Sequence, residues 1–233
     1  ETYRRSSKVL SREQYEMDPE NRLLARGPRF RMPSWMIRDQ ALASSGILND
    51  RQGGASVNSY QPEGVWEETS FGRKRYTQAK GSALHRRSLY TFWRRIVGPT
   101  MFFDSAKRQV CEVKPLRTNT PMHALIMMND VTYVEAARSL AETILNEEDG
   151  IDARLILASK RVLARELSER EIAIWKRSLE RSSKDFITDP DSAKAYLSHG
   201  DSKPNETIES SELAAWTALC LNFLNLDETL NKE

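Results

Sequence analysis

Cysteine is nearly absent. Two residues, Cys111 and Cys220, in a chain of 233 exclude a disulfide-rich scaffold, a Cys-x-x-Cys-His haem attachment and a cysteine-built zinc cluster. Histidine is as sparse: His85, His123 and His199 lack ligand spacing, so no metal is expected. No apolar run approaches the ~20 residues of a membrane helix, so no membrane span is expected. Charge of one sign is lacking too. With 35 basic and 33 acidic residues the net charge is +2, too little for a global field that recruits nucleic acid. The nucleophile elbow, the phosphate-cradling glycine loop, the dinucleotide fingerprint and the His-Glu metal motif are all missing. Gly53-Gly54 reads as a turn, because no Gly-Lys-Ser/Thr follows it.

What is present suits a water-facing globular chain, with 39% apolar and 29% charged residues. The expected fold is mainly α: a loop-rich, arginine-rich helical half over about residues 1–130, packed on a C-terminal antiparallel helical bundle over 131–233, the two forming one continuous domain. The bundle is the clearer half. Thr132-x-x-Glu135 and Ser168-x-x-Glu171 read as capping boxes. Between and after them, apolar residues recur at helical spacing: Val134, Ala137, Ala141 and Ile144; Leu155, Ala158 and Val162; Ile172, Trp175 and Leu179. Asp189-Pro190 starts a short helix, and Ser210 or Ser211 caps a last one bearing Leu213, Trp216, Cys220, Phe223 and Leu224.

In the first half a helix is expected from Ser34 to Leu48, with Ile37, Ala41 and Leu48 inward. Residues 49–82 then turn to loop chemistry rich in Gly and Pro, carrying Tyr60, Gln61, Trp66, Phe71 and Tyr76. These aromatics either form a ring-stacking platform or staple the loop to the body. Arg86–Val97 follows helical spacing through Leu89, Phe92, Trp93, Ile96 and Val97 and is read as a helix.

The organising stretch is Phe103–Asp130. Thr120-Pro121 reads as an N-cap followed by proline at the first helical position, and Leu125, Ile126 and Met128 are expected to give that helix a buried face. Arg117 and Asn119 just before it suit either an anion or carbonyl clamp or a buried polar corner. The expectation is that Arg117 is buried and paired with Asp104 or Asp130. Asp130 is otherwise a helix-start residue. For acid–base work the candidates are Asp39, Glu63, Asp104 and Asp130. Cys111 has no adjacent histidine to activate it as a nucleophile.

Arg117-Thr118-Asn119-Thr120-Pro121, then Asn129-Asp130 and Thr132-Tyr133-Val134-Glu135-Ala136-Ala137-Arg138, together resemble a planctomycete-specific C-terminal domain of unknown function. Leu23-Leu24-Ala25-Arg26-Gly27-Pro28-Arg29-Phe30, Gly53-Gly54-Ala55-Ser56-Val57 with Tyr60-Gln61-Pro62, Arg87-Ser88-Leu89-Tyr90-Thr91-Phe92-Trp93 and Leu224-Asn225-Leu226-Asp227-Glu228 agree. The likeness covers nearly the whole chain. It implies the end of a large exported protein, periplasmic or extracellular, with a c-type cytochrome domain upstream. Haem c would then belong to that separate domain, with no cofactor in this chain, and the upstream domains of the same polypeptide would be its partners. The chain opens on Glu1 with neither methionine nor signal peptide and is read as a piece of a longer protein.

Two functional readings lead: a non-catalytic binding or scaffolding module, and an enzyme or binding domain acting on a glycan or other anionic polymer through a polar pocket in residues 18–130. The candidate ligand-binding set is Arg29, Arg38, Tyr60, Gln61, Arg87, Trp93, Asp104, Arg117 and Asn119. Gathered in one pocket, these residues favour the polymer reading. Paired and dry, they favour the module. A nucleic-acid surface built on the arginine-rich stretches is the third reading, and near-neutral charge weighs against it.

Overall fold

A computed structural model describes residues 5–7, 11–73, 75–94, 97–105, 110–113 and 115–232. Among the described residues the chain is mainly α-helical. The first half contributes α1 (Arg12–Met17), the two-residue strand β1 (Phe30–Arg31), α2 (Ser34–Ser44), α3 (Val65–Thr69), 3-10 turns at Gly81–Ala83 and Ser88–Tyr90, and α4 (Pro121–Asn129). The second half contributes α5 (Val131–Glu147), α6 (Ile151–Leu163), α7 (Glu169–Thr188), α8 (Pro190–Leu197), α9 (Ser210–Leu224), α10 (Asp227–Leu230) and β2 (Asn231–Lys232). β2 pairs antiparallel with β1, Phe30 opposite Lys232, so the last strand returns to the first half.

The core forms where α5 meets α9, with α7 and α8 on the far side of α9 and α2 and α4 on the near side of α5. Leu140, Ala141 and Ile144 of α5 face Leu213, Ala214, Cys220 and Phe223 of α9, all at most 1% exposed. Each large side chain buried this way contributes about 1.5–3 kcal/mol of transfer free energy. Small residues (Ala136, Ala137, Ala141, Ala214, Ala215) let the two helices approach closely, while Trp175 stacks on Phe223 at 4.1 Å. Ser168 accepts from Glu171 N while the Glu171 carboxylate returns to Ser168 N, the full capping box at the start of α7.

Several local expectations are corrected. The Thr132–Glu135 capping box is not made: Asp130 caps α5 by accepting from Thr132 N, and Glu135 turns inward. Glu209, not a serine, caps α9. The helix read from Ser34 to Leu48 stops at Ser44, and Ser34 Oγ bonds Phe103 O instead of capping. In α4 the buried residues are His123 and Met127, with Ile126 half-buried against the core as expected, whereas Leu125 and Met128 are exposed; α4 packs on α5 and α9. The Arg86–Val97 helix is replaced, in its described residues, by the Ser88–Tyr90 turn and an extended stretch; Arg95 and Ile96 lie outside the described residues. Backbone bonds explain it. Val57 N donates to Tyr90 O at 2.8 Å and Phe92 N to Val57 O at 2.7 Å, so the long loop captures the polar groups that a helix would have used internally.

Candidate functional site

Three buried polar centres tie loop segments to the helices α2 and α5. On α2, the Arg38 guanidinium, 1% exposed, donates to Arg86 O and Leu84 O at 2.8 Å and to Ser88 Oγ at 3.2 Å. Arg86 in turn donates to Ala55 O at 2.9 Å and to Arg51 O and Gly53 O, and lies over the Tyr90 ring. On α5, Glu135 is fully buried. Its Oε2 accepts from Tyr60 Oη at 2.8 Å and His85 Nε2 at 2.9 Å, and its Oε1 from Ser202 N and Ser202 Oγ at 2.8 and 2.6 Å. One helical turn later, Arg138 donates to the carbonyls of Leu197, His199 and Ser202.

The electrostatics follow from these bonds. Burial on its own raises the Glu135 pKa, but the hydrogen bonds from His85, Ser202 and Tyr60 outweigh it and hold the carboxyl down at about 2. The Tyr60 phenol is pushed up by burial and by the adjacent Glu135 charge, so it stays a donor. Gly200 lets the 197–205 loop approach. Its φ is +103°, and a Cβ there would sit 2.7 Å from Glu135 Cδ.

Two clefts open on this half. The first, about 400 Å³, is lined by Tyr60, Gln61, Thr100, Ile126, Asn129 and Asp130, among others. Its polar groups are largely engaged: Tyr60 on Glu135, Gln61 Oε1 with the Trp66 indole N–H, and Asp130 with Thr132 N and Thr100 Oγ1. The second, about 350 Å³, is lined by Trp35 and Asp39 from α2, Arg87, Ser88, Leu89, Thr91 and Trp93 around the Ser88–Tyr90 turn, and Phe102 and Ser105.

The predicted set is therefore divided. Arg87 and Trp93 share the second cleft, Tyr60 and Gln61 the first. Arg38 is buried on carbonyls, and Arg29 pairs with Asp227. Asp104 accepts from Thr118 N and Oγ1, and Asn119 is exposed. The expected burial of Arg117 is overturned: the residue is exposed, donates to Arg31 O at 2.9 Å and lies over the Phe30 ring. Asp104 and Asp130, its presumed partners, are occupied by Thr118, Thr132 and Thr100. The loop aromatics staple. Trp66 stacks on Tyr76 at 5.2 Å and meets Phe92 at 5.8 Å, leaving Phe71 in solvent. Sequence reasoning missed His85, Glu135, Arg138 and Trp35. Glu135 and Arg138 carried one usable signal, a Glu and an Arg on the otherwise apolar face of α5.

Among the described residues no cluster of three His, Cys, Asp or Glu could hold a metal ion, and no helix is long and apolar enough to cross a membrane. The sequence model of the PSD1 family, described as a protein of unknown function (DUF1553), matches residues 1–179. The chain belongs to that family. The PSD1 match ends within α7, so α8, α9 and α10 lie beyond it. No curated protein and no solved structure matches the chain.

Proposed function

We propose that this PSD1 chain is a non-catalytic binding or scaffolding module. One observation carries the reading: the buried Glu135–His85 pair and the buried arginines Arg38 and Arg138 are spent inside the fold. A catalytic acid or base must reach a substrate proton, yet Glu135 and its partner His85 are enclosed, and Arg38 and Arg138 hold carbonyl oxygens. The residues left facing a cleft, Trp35, Asp39, Arg87 and Trp93, are suited to holding a ligand. The experiment is to pass the chain over a panel of immobilised acidic and neutral polysaccharides and to analyse the eluate for shortened chains. Retention without cleavage products is expected; release of oligosaccharides would overturn the reading.

The module is further proposed to close an exported protein with a c-type cytochrome domain upstream. The motifs from Leu23 to Glu228 that resemble such C-terminal domains support this. The upstream reading frame should then encode a signal peptide and a Cys-x-x-Cys-His motif, and a frame with neither would remove the proposal.

A further inference from the structure

The cleft between α2 and the Ser88–Tyr90 turn is a built site with unspent polar groups. Trp35 and Asp39 lie one turn apart on α2, hence on one face of it. Asp39 Oδ1 is fully used, accepting from Ser88 N at 2.8 Å, Ser88 Oγ at 2.7 Å and Arg38 Nη1 at 3.4 Å. Among the described residues nothing donates to its Oδ2. Arg87 shows the same split from its neighbour. Arg86 is buried on three loop carbonyls, whereas the exposed Arg87 guanidinium has no ion pair or hydrogen bond among the described residues. In the cleft wall, Thr91 is nine-tenths buried, and among the described residues its hydroxyl has no partner. Trp93 is fixed by Phe102, 5.7 Å away, and by Gly98, where a Cβ would come within 2.9 Å of the indole nitrogen. Trp35 is half exposed.

These features set three demands on an occupant. It must offer an apolar face to indole rings. It must bring O–H donors, since a carboxylate such as Asp39 accepts only. It must carry one anionic group for the guanidinium fork of Arg87. A nucleotide suits the last demand less well, because even one phosphate monoester is close to dianionic at neutral pH and its extra charge would stand against Asp39. A peptide would spread the three features over several residues, more than a cleft of about 350 Å³ takes in. One uronic acid ring carries all three. We propose that this cleft binds an acidic saccharide residue, its carboxylate on Arg87, its hydroxyls on Asp39, and its ring against Trp35 and Trp93.

The inference rests on the binding-module reading and names the ligand class. The test is calorimetric and tryptophan-fluorescence titration of the chain with trigalacturonate, with galacturonic acid, with neutral maltotriose and with an acidic hexapeptide, using wild type, Arg87→Lys and Arg87→Ala. Trigalacturonate should bind saturably, and more weakly as salt rises. Arg87→Ala should weaken it by about tenfold to a hundredfold, the range for a lost charge-assisted hydrogen bond, with Arg87→Lys between. Maltotriose should bind as weakly to wild type as trigalacturonate does to Arg87→Ala. Galacturonic acid alone should bind more weakly than trigalacturonate and with the same dependence on Arg87, and its failure to bind at all would overturn the one-ring assignment. No saturable binding of trigalacturonate, equal affinity in Arg87→Ala, or preference for maltotriose or the peptide would overturn it. Arg87-dependent binding followed by shortening of trigalacturonate would overturn the module reading and leave the ligand class standing.

Discussion

Four donors converge on the Glu135 carboxylate, from Tyr60, His85 and the backbone and side chain of Ser202. The unfolded chain takes up this proton near the ordinary 4.5, and the folded one only near 2. Between those values the unfolded state binds more protons, so the stabilisation is fully present above 4.5 and is lost as pH falls towards 2. It amounts to roughly 3 kcal/mol at neutral pH. The urea midpoint of the wild type should fall between about pH 5 and pH 3, and that of Glu135→Gln should fall less steeply; parallel curves would show that the carboxylate is not held this way. The sequence did not disclose this role. Glu135 stands three residues after Thr132, the spacing of a capping box, and nothing local shows that its partners lie 50 to 75 residues away. Arg117 misled in the opposite sense: polar neighbours suggested a shared buried corner, and the structure leaves it in solvent.

The helices of the second half were legible because their apolar spacing and their caps agree, as in α7, where Ser168 and Glu171 cap each other and Leu179 is buried. Arg86–Val97 was not, because its period of aromatic and aliphatic residues fits a helix while its backbone is claimed by Val57. The same dependence on distant chain makes the 197–205 loop a precise element. Gly200 combines a positive φ with a close approach to Glu135. Gly200→Ala is expected to cost more than about 1 kcal/mol, from backbone strain plus the displaced carboxylate. Chemical denaturation measures it. By contrast, Gly46→Ala, at φ +79° with open space around the Cβ, carries the strain alone and should cost less. Equal losses at the two positions would show that the contact with Glu135 contributes nothing.

Across the whole molecule, the mainly α architecture could be read from the sequence, and the buried polar ties, one of which (Glu135) joins the two halves, could not. Arg38 reaches from α2 to residues 84–88, Glu135 joins residues 60, 85 and 202, and Arg138 holds residues 197–202. Arg38 ties α2 to the chain around the Ser88–Tyr90 turn, the two sides of the Trp35–Arg87 cleft. Arg38, Glu135 and Arg138 are thus committed to the fold, while Arg87 makes no ion pair or hydrogen bond among the described residues. The candidate site was only half visible beforehand. Arg87 and Trp93 stood out in one motif, but Trp35 and Asp39 join them only through the packing of α2, which no short-range pattern encodes.

The division of labour among the arginines is tested most directly by urea denaturation of wild type, Arg38→Ala and Arg87→Ala, followed by helical ellipticity and tryptophan fluorescence. The wild type should unfold in one transition by both probes. Arg38→Ala should lose about 3–5 kcal/mol, since buried carbonyls and Asp39 lose their partner, while Arg87→Ala should stay within about 0.5 kcal/mol of wild type, as an exposed residue does. An Arg38→Ala variant as stable as wild type, or an Arg87→Ala variant as damaged as Arg38→Ala, would contradict the account.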